Sequence, residues 1–407
     1  MPTRLVVWNV NRFSINTIND SSGKNTSEKL TNIVQSMWNN GFLRTIAATA
    51  DIFVLIEVQS SRSVLGSLIG GSGEQGVLFL LRWLQKNHNA NWYVVPPLKL
   101  VGLTDEGEKA NYTEGIAVFF RNDRVNFTGP YIWPTVGNFA RPAGSATAGP
   151  YPDPWTNALP ANNYNAGQFE FFKTPLTRTG EFDWISGNFR RPFLTNFTEM
   201  GTGRVIKLLS VHPSPGIKKN VVQVVNSLSD IVEIQPSGSP QVVVVAGDFN
   251  INVKAAKKST ITGPKASTGY WSLNHTAGFS QKFGATATST NGITTINQVN
   301  DTISEKTHQV TKAGSTPTTY LTELGIDNVF LRYDGGVAQP LANNPRIINP
   351  VTGTDEYASS MLQSLAQINQ FYKTEPERVA QFRNVMNYGH IAHWEGVSDH
   401  LPLVIDI

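Results

Sequence analysis

The chain has 407 residues, 40% of them hydrophobic and 15% charged, with a formal net charge of +3. That is enough apolar material for one large core or two ordinary ones, while the slight basic excess falls short of a dedicated nucleic-acid arm. With no cysteine and no run of eighteen apolar residues, disulfides, thiolate metal sites, a cysteine nucleophile and a transmembrane helix are excluded, so any metal must sit on oxygen or imidazole.

The first element, Arg4-Leu-Val-Val-Trp-Asn9, reads as a strand, and no basic and apolar leader is legible ahead of it. The expectation is a soluble protein, with compartment and oligomeric state left open. From Ser27 to Ala50 the apolar Leu30, Ile33, Val34, Met37, Leu43 and Ile46 fall at near-helical spacing, interrupted by Asn39-Asn-Gly41. A strand at 52–58, a helix at 75–88 and a strand at 115–121 follow. The Gly/Pro/Asn/Ala-rich stretch 133–167 reads as a long irregular loop, of the kind that is usually functional or mobile. Beyond it come strands at 205–212, 241–247, 326–332 and 401–407, with helices predicted from Lys218 to about Ile234 and near 356–383. No repeat period is visible. The expectation is a single domain over 1–407, carrying insertions at about 133–187, 252–320 and 334–394 on a strand-dominated core.

Several strands end in polar residues able to converge: Asn9, Glu57, His212, the pair Asp248 and Asn250, and Ser398-Asp399-His400. Carboxylate and amide oxygens at strand ends are the hard ligands that Mg²⁺ takes, with water and phosphate filling its other positions. Each has a plainer reading as well. Asp248 and Asn250 fit an Asx turn, Ser398-Asp-His400 fits a structural cap, and Glu57 fits a surface glutamate, though the last suits poorly a residue ending a continuous apolar run.

Taken in order, Trp8-Asn9, Asp51-Ile-Phe-Val-Leu-Ile-Glu57, Gly247-Asp-Phe-Asn250, Gly325-Ile-Asp327-Asn-Val-Phe330 and Ser398-Asp-His-Leu-Pro402 resemble the successive motifs of the endonuclease/exonuclease/phosphatase superfamily typified by deoxyribonuclease I. The resemblance implies a four-layer α-β-β-α sandwich, of two mainly antiparallel sheets face to face with helices outside, and a site at one end. It implies Mg²⁺, with Mn²⁺ or Ca²⁺ as substitutes, held by Glu57, Asn9 and Asp399. It makes Asp248 the group that orients or deprotonates the attacking water, and Asn250 a holder of metal or phosphate oxygen. His400 becomes general base or cationic donor, with Asp327 fixing its ring. Tyr112-Thr-Glu114 resembles the segment that supplies Glu114 as partner of a second histidine, His212, and Tyr112 as a stacking ring or an ordinary strand-edge aromatic. Asn188-Phe-Arg190-Arg191 resembles an arginine segment that grips phosphate bidentately, through Arg190 or Arg191; adjacent arginines are also commonly a solvated pair.

His88, His275, His308, His390 and His393 are expected to be structural or surface residues. Two residues past Glu57 stands Gln59, where the deoxyribonuclease branch has an arginine. Three functions compete: a nuclease with nucleic acid as substrate, a sphingomyelinase-like phospholipid or phosphoinositide hydrolase meeting a lipid headgroup, and a non-catalytic binding module on the same fold. Loop aromatics including Trp155 either line a specific pocket or hold loops down.

Overall fold

The computed structural model describes residues 2–19, 47–61, 68–100, 113–129, 153–160, 173–176, 180–183, 190–213, 224–225, 227–250, 277–283, 302–304, 309–311, 318–319, 327–347, 400 and 402–407. The apolar runs predicted as strands are strands: β1 (Arg4–Phe13), β2 (Ile52–Gln59), β4 (Glu114–Arg121), β9 (Val205–Val211), β10 (Gln241–Asp248), β15 (Asp327–Asp334) and β17 (Leu403–Asp406). Four shorter strands, β3 (Trp92–Val95), β5 (Val125–Gly129), β8 (Phe193–Glu199) and β16 (Arg346–Ile347), join the same two sheets, as does β11 (Ser280–Gln281).

The first sheet runs β16-β17-β1-β2-β4-β3 and the second β11-β15-β10-β9-β8-β5. Each has a single parallel pair, β1 with β2 and β10 with β9, and every other pairing is antiparallel. That arrangement places the site. The C-terminal ends of the four parallel strands lie at the same edge of their sheets as the N-terminal ends of β4, β15 and β17, so residues far apart in sequence reach one end of the sandwich. The register makes this explicit: Gln59 is opposite Glu114, and Asp248 is opposite Asp327.

The sheets pack face to face over an aromatic cluster in which Phe120 of the first meets Phe127 and Phe197 of the second, with ring centroids 6.1 and 5.4 Å away. Strand residues buried on both faces, such as the whole of β10, are what a layer covered on both sides requires. On the outer side of the first sheet lies α2 (Ser72–Asn87), which follows the short α1 (Ile15–Asn19). It buries Val77, Leu80, Leu81 and Leu84 on one stripe, as its apolar spacing demands. It starts three residues earlier than the predicted 75–88 because Gly73 permits contact with the backbone: a Cβ there would lie 1.8 Å from the Gln59 carbonyl.

The outer side of the second sheet differs from expectation. Residues 224–225 and 227 are helical, but Leu228–Asp230 and Val232–Ile234 form two 3-10 turns, broken where Ile231 takes an extended conformation. The β-branched Ile231-Val232 pair disfavours a regular helix, and the turns are pinned instead by Lys207 and Arg332, which donate to the carbonyls of Glu233 and Ile234 at 2.9 and 2.6 Å. The helix predicted at 356–383 and most of that at 27–50 lie outside the described residues, although 47–49 are helical. Among the described residues no helix is long and apolar enough to cross a membrane.

Parts of the predicted insertions are seen. β6 (Lys173–Leu176) pairs with β7 (Gly180–Asp183), and β12 (Thr302–Ser304), β13 (Gln309–Thr311) and β14 (Thr318–Thr319) make a small three-stranded sheet. Trp155 holds its segment down rather than lining an open pocket: it is fully buried, and Ala158 accepts from the amide of Val94 on β3. Residues 343–347 are tied to the core, since β16 pairs with β17 and the amides of Asn343 and Asn344 bond Asp406.

Candidate active site

Two carboxylate–histidine pairs meet at the end of the sandwich, and each spans the two sheets. Glu114, the first residue of β4, approaches His212 Nδ1 at 2.5 Å just past the end of β9. Asp327, the first residue of β15, approaches His400 Nδ1 at 2.9 Å just before β17. One pair runs from the first sheet to the second and the other from the second to the first. With Nδ1–H donated to a carboxylate, each ring turns Nε2 towards the cleft.

Asp248 is where the pairs converge. Its Oδ2 lies 3.6 Å from His212 Nε2 and 3.8 Å from His400 Nε2, and it accepts from Asn9 Nδ2 at 3.1 Å. Its Oδ1 accepts the Asn250 amide at 2.8 Å, and Asn250 Nδ2 donates to the Pro213 carbonyl at 2.7 Å, tying the end of β10 to the end of β9. The distances to the rings exceed a hydrogen bond, so neither imidazole donates directly to Asp248. Glu57 completes the set: Asn9 Nδ2 donates to its Oε1 at 3.0 Å, His212 Nε2 is 3.5 Å away, and the Arg12 backbone amide donates to its Oε2 at 3.1 Å.

The local backbone is bent to achieve this. The β1/β2 register shifts between Asn9 and Phe13, the β2/β4 register shifts between Leu55 and Val58, and Arg12, Glu57 and Asn250 all have positive φ, at 63°, 63° and 51°. Bulges re-aim side chains at strand ends, and non-glycine residues in the left-handed region cost free energy that the surrounding fold must outweigh.

Burial pushes the Asp248 carboxyl above its ordinary range, and neighbouring Asp327 adds to this, while His400, His212 and the Asn250 amide pull it partly back. For His212 burial is the largest influence and opposes protonation, as does Arg190, but Glu114 and Glu57 outweigh both and raise its pKa. The site therefore holds an acid inclined to keep a proton beside an imidazole inclined to carry one.

Of the residues expected from sequence, Asn9, Glu57, Glu114, Arg190, His212, Asp248, Asn250, Asp327 and His400 are brought together here. Asp399 and Tyr112 lie outside the described residues. Arg190 Nη1 reaches both His212 and Glu114, at 2.8 and 3.1 Å. Arg191 is buried beside it, with its amide on the Leu100 carbonyl. His88 is structural, accepting from the indole of Trp92 at 3.0 Å. Sequence reasoning missed Trp8, whose Nε1 donates to the His400 carbonyl at 2.9 Å. The signal was present, because an indole N–H within a buried aliphatic strand needs a partner. The contributions of the Arg12 amide and the Pro213 carbonyl had no sequence signal.

The chain matches solved structures of the endonuclease/exonuclease/phosphatase family along its whole length. One from Leptotrichia buccalis, described as a protein of that family, has 12% identity and a TM-score of 0.44, with 99% of this chain and 98% of that one covered. A humanized TDP2 of D. rerio has 12% identity and a TM-score of 0.41, covering 99% and 97%. A mannosyl-6-phosphatase of Bacteroides thetaiotaomicron has 10% identity and a TM-score of 0.40, covering 99% and 98%. No protein-family model and no curated protein matches the sequence. Likeness at this level carries no argument about chemistry, which has to come from the residues of the site.

Among the described residues, two groups of side chains are close enough to hold a metal ion, Glu57 with Glu114 and His212, and Asp248 with Asp327 and His400. The donor chemistry fits a hard divalent cation: Glu57 and Asp248 both lean on the one amide of Asn9, and two carboxylates so close repel each other unless a cation or a proton intervenes.

Proposed function

We propose that this chain is a Mg²⁺-dependent phosphoester hydrolase that cleaves nucleic-acid phosphodiesters. The observation that supports this reading is the convergence of the Glu114–His212 and Asp327–His400 pairs on Asp248 Oδ2, with Glu57 alongside. Such a constellation addresses a phosphate from several sides: a proton acceptor towards incoming water, and imidazole donors towards oxygens that gain negative charge.

Glu57, with Asn9 beside it, would hold the cation. When bound, that ion supplies charge neutralisation at the scissile phosphate. Asp248 orients the attacking water and takes its proton, a role suited to a carboxyl whose pKa is raised towards the working range. His212, kept protonated by Glu114 and Glu57 against the effect of burial, donates to a phosphate oxygen. Asp327 keeps Nδ1 of His400 occupied, so that Nε2 faces the substrate.

The test is nicking of supercoiled plasmid DNA in Mg²⁺, with EDTA and Glu57→Ala as controls. Metal-dependent nicking lost in the variant is expected. Intact plasmid together with hydrolysis of a simple aryl phosphodiester would remove the nuclease assignment and keep the phosphoesterase. Failure on both, with folded protein, would remove the enzyme.

A further inference from the structure

Arg190 has 5% of its surface exposed, three residues ahead of β8. Its Nη1 lies 2.8 and 3.0 Å from the two ring nitrogens of His212 and 3.1 Å from Glu114 Oε1, the same oxygen that approaches His212 Nδ1 at 2.5 Å. We propose that Arg190 is a positioning residue that locks Glu114 and His212 together, and that it is not the grip on the substrate phosphate. This rests on the phosphodiesterase reading of the site.

The geometry argues for it in two ways. A guanidinium that grips phosphate commits its N–H groups to it, whereas Nη1 of Arg190 is committed to Glu114 Oε1. The location is also that of a brace. Glu114 opens a strand of the first sheet and His212 follows one of the second, so each sheet positions its own group independently. An arginine that donates to the same Glu114 Oε1 that accepts His212 Nδ1–H fixes that carboxylate, and through it the ring. Buried charge reinforces the arrangement, because Glu114 without its guanidinium neighbour would keep a negative charge in a desolvated place with less to balance it.

A single-nitrogen contact has a consequence that a fork does not: a lysine ammonium can replace it in part. Arg190→Gln should lower kcat on the order of 10²-fold with KM within about twofold, and inorganic phosphate should inhibit it with an unchanged Ki. Arg190→Lys should recover kcat to within about tenfold of wild type. A tenfold or larger rise in KM or in the phosphate Ki, with Lys no better than Gln, would overturn the proposal.

Should Arg190→Gln fail to fold, the Lys variant decides alone, since losing a bidentate grip raises the phosphate Ki and losing a brace does not. If wild-type protein hydrolyses no phosphodiester, the functional reading falls separately. A crystal structure of Arg190→Gln then decides the brace, which stands if His212 swings off Glu114 and falls if the ring stays; where only Arg190→Lys folds, it stands if the ring stays on Glu114 and falls if it leaves.

Discussion

Trp8 and His400 are 392 residues apart in the chain and joined by a 2.9 Å hydrogen bond, the indole Nε1 donating to the histidine carbonyl. Trp8 is buried in the first sheet, so a core side chain fixes the main chain of His400 while Asp327 fixes its ring. Trp8→Phe keeps an aromatic ring and deletes the donor. It should cost about 1–3 kcal/mol, the usual penalty for leaving a buried acceptor unmatched, and lower kcat by roughly tenfold with little change in KM. Thermal unfolding and steady-state kinetics measure both, and an unchanged kcat would mean that the tether does not govern His400.

Asp327→Asn should be nearly as damaging as removing the histidine. The amide can present its N–H to Nδ1 and so favour the tautomer with its proton on Nε2, the wrong one for accepting there and a weaker cation. His400→Ala and Asp327→Asn should each lower kcat on the order of 10²- to 10⁴-fold. The double variant should be within a few-fold of His400→Ala, since groups acting as a unit are not additive. Full additivity in a double-mutant cycle would separate the two residues.

Activity should rise and then fall with pH. Asp248 acts ionised and is held above its ordinary 3.8 by burial and Asp327, so the acid limb should lie above the usual carboxylate range. His212 acts protonated and is held above 6.5 by Glu114 and Glu57 in spite of burial, so the alkaline limb should lie above 6.5. The sign for stability follows the same shifts: the His212 contribution is full below 6.5 and lost as pH rises through its raised folded value, and that of Asp248 is full below 3.8 and lost in the same sense. Glu114→Gln removes the main support for protonated His212 and should move the alkaline limb to lower pH. The measurement is kcat/KM against pH at fixed Mg²⁺ and ionic strength, and an unmoved limb would detach it from His212.

Gly247→Ala should be far worse than its one added methyl suggests. Gly247 sits at φ 150° next to Asp248, and a Cβ there would lie 1.9 Å from the Val211 carbonyl. Relief requires parting β10 from β9, the parallel pair whose ends carry Asp248 and His212. A loss of about 3 kcal/mol is expected, together with loss of activity, both readable from denaturant unfolding and kinetics. Wild-type stability would show that the strands adjust freely.

The strands were legible because aliphatic runs such as Val242 to Ala246 are buried on both faces, and a fully buried strand leaves an unbroken apolar signature. The breakdown of the helix at Ile231 was not legible, since its apolar spacing matches a helix, the β-branched Ile231-Val232 pair disfavours one only slightly, and the anchoring of the turns by Lys207 and Arg332 is a tertiary contact. Residue by residue, the sequence determined which chemistry was on offer: oxygen and imidazole ligands in place of thiolates, and polar groups waiting at strand ends. What only the tertiary structure decided is how they meet. That His212 and His400 both face Asp248 and that Arg190 lies against Glu114 and His212 together depend on two sheets packing face to face, each with one parallel pair, and Trp8 anchors His400 because β17 returns to pair with β1. Local spacing cannot encode such contacts, because their geometry is set by sheet register and by the distance between layers rather than by neighbours along the chain.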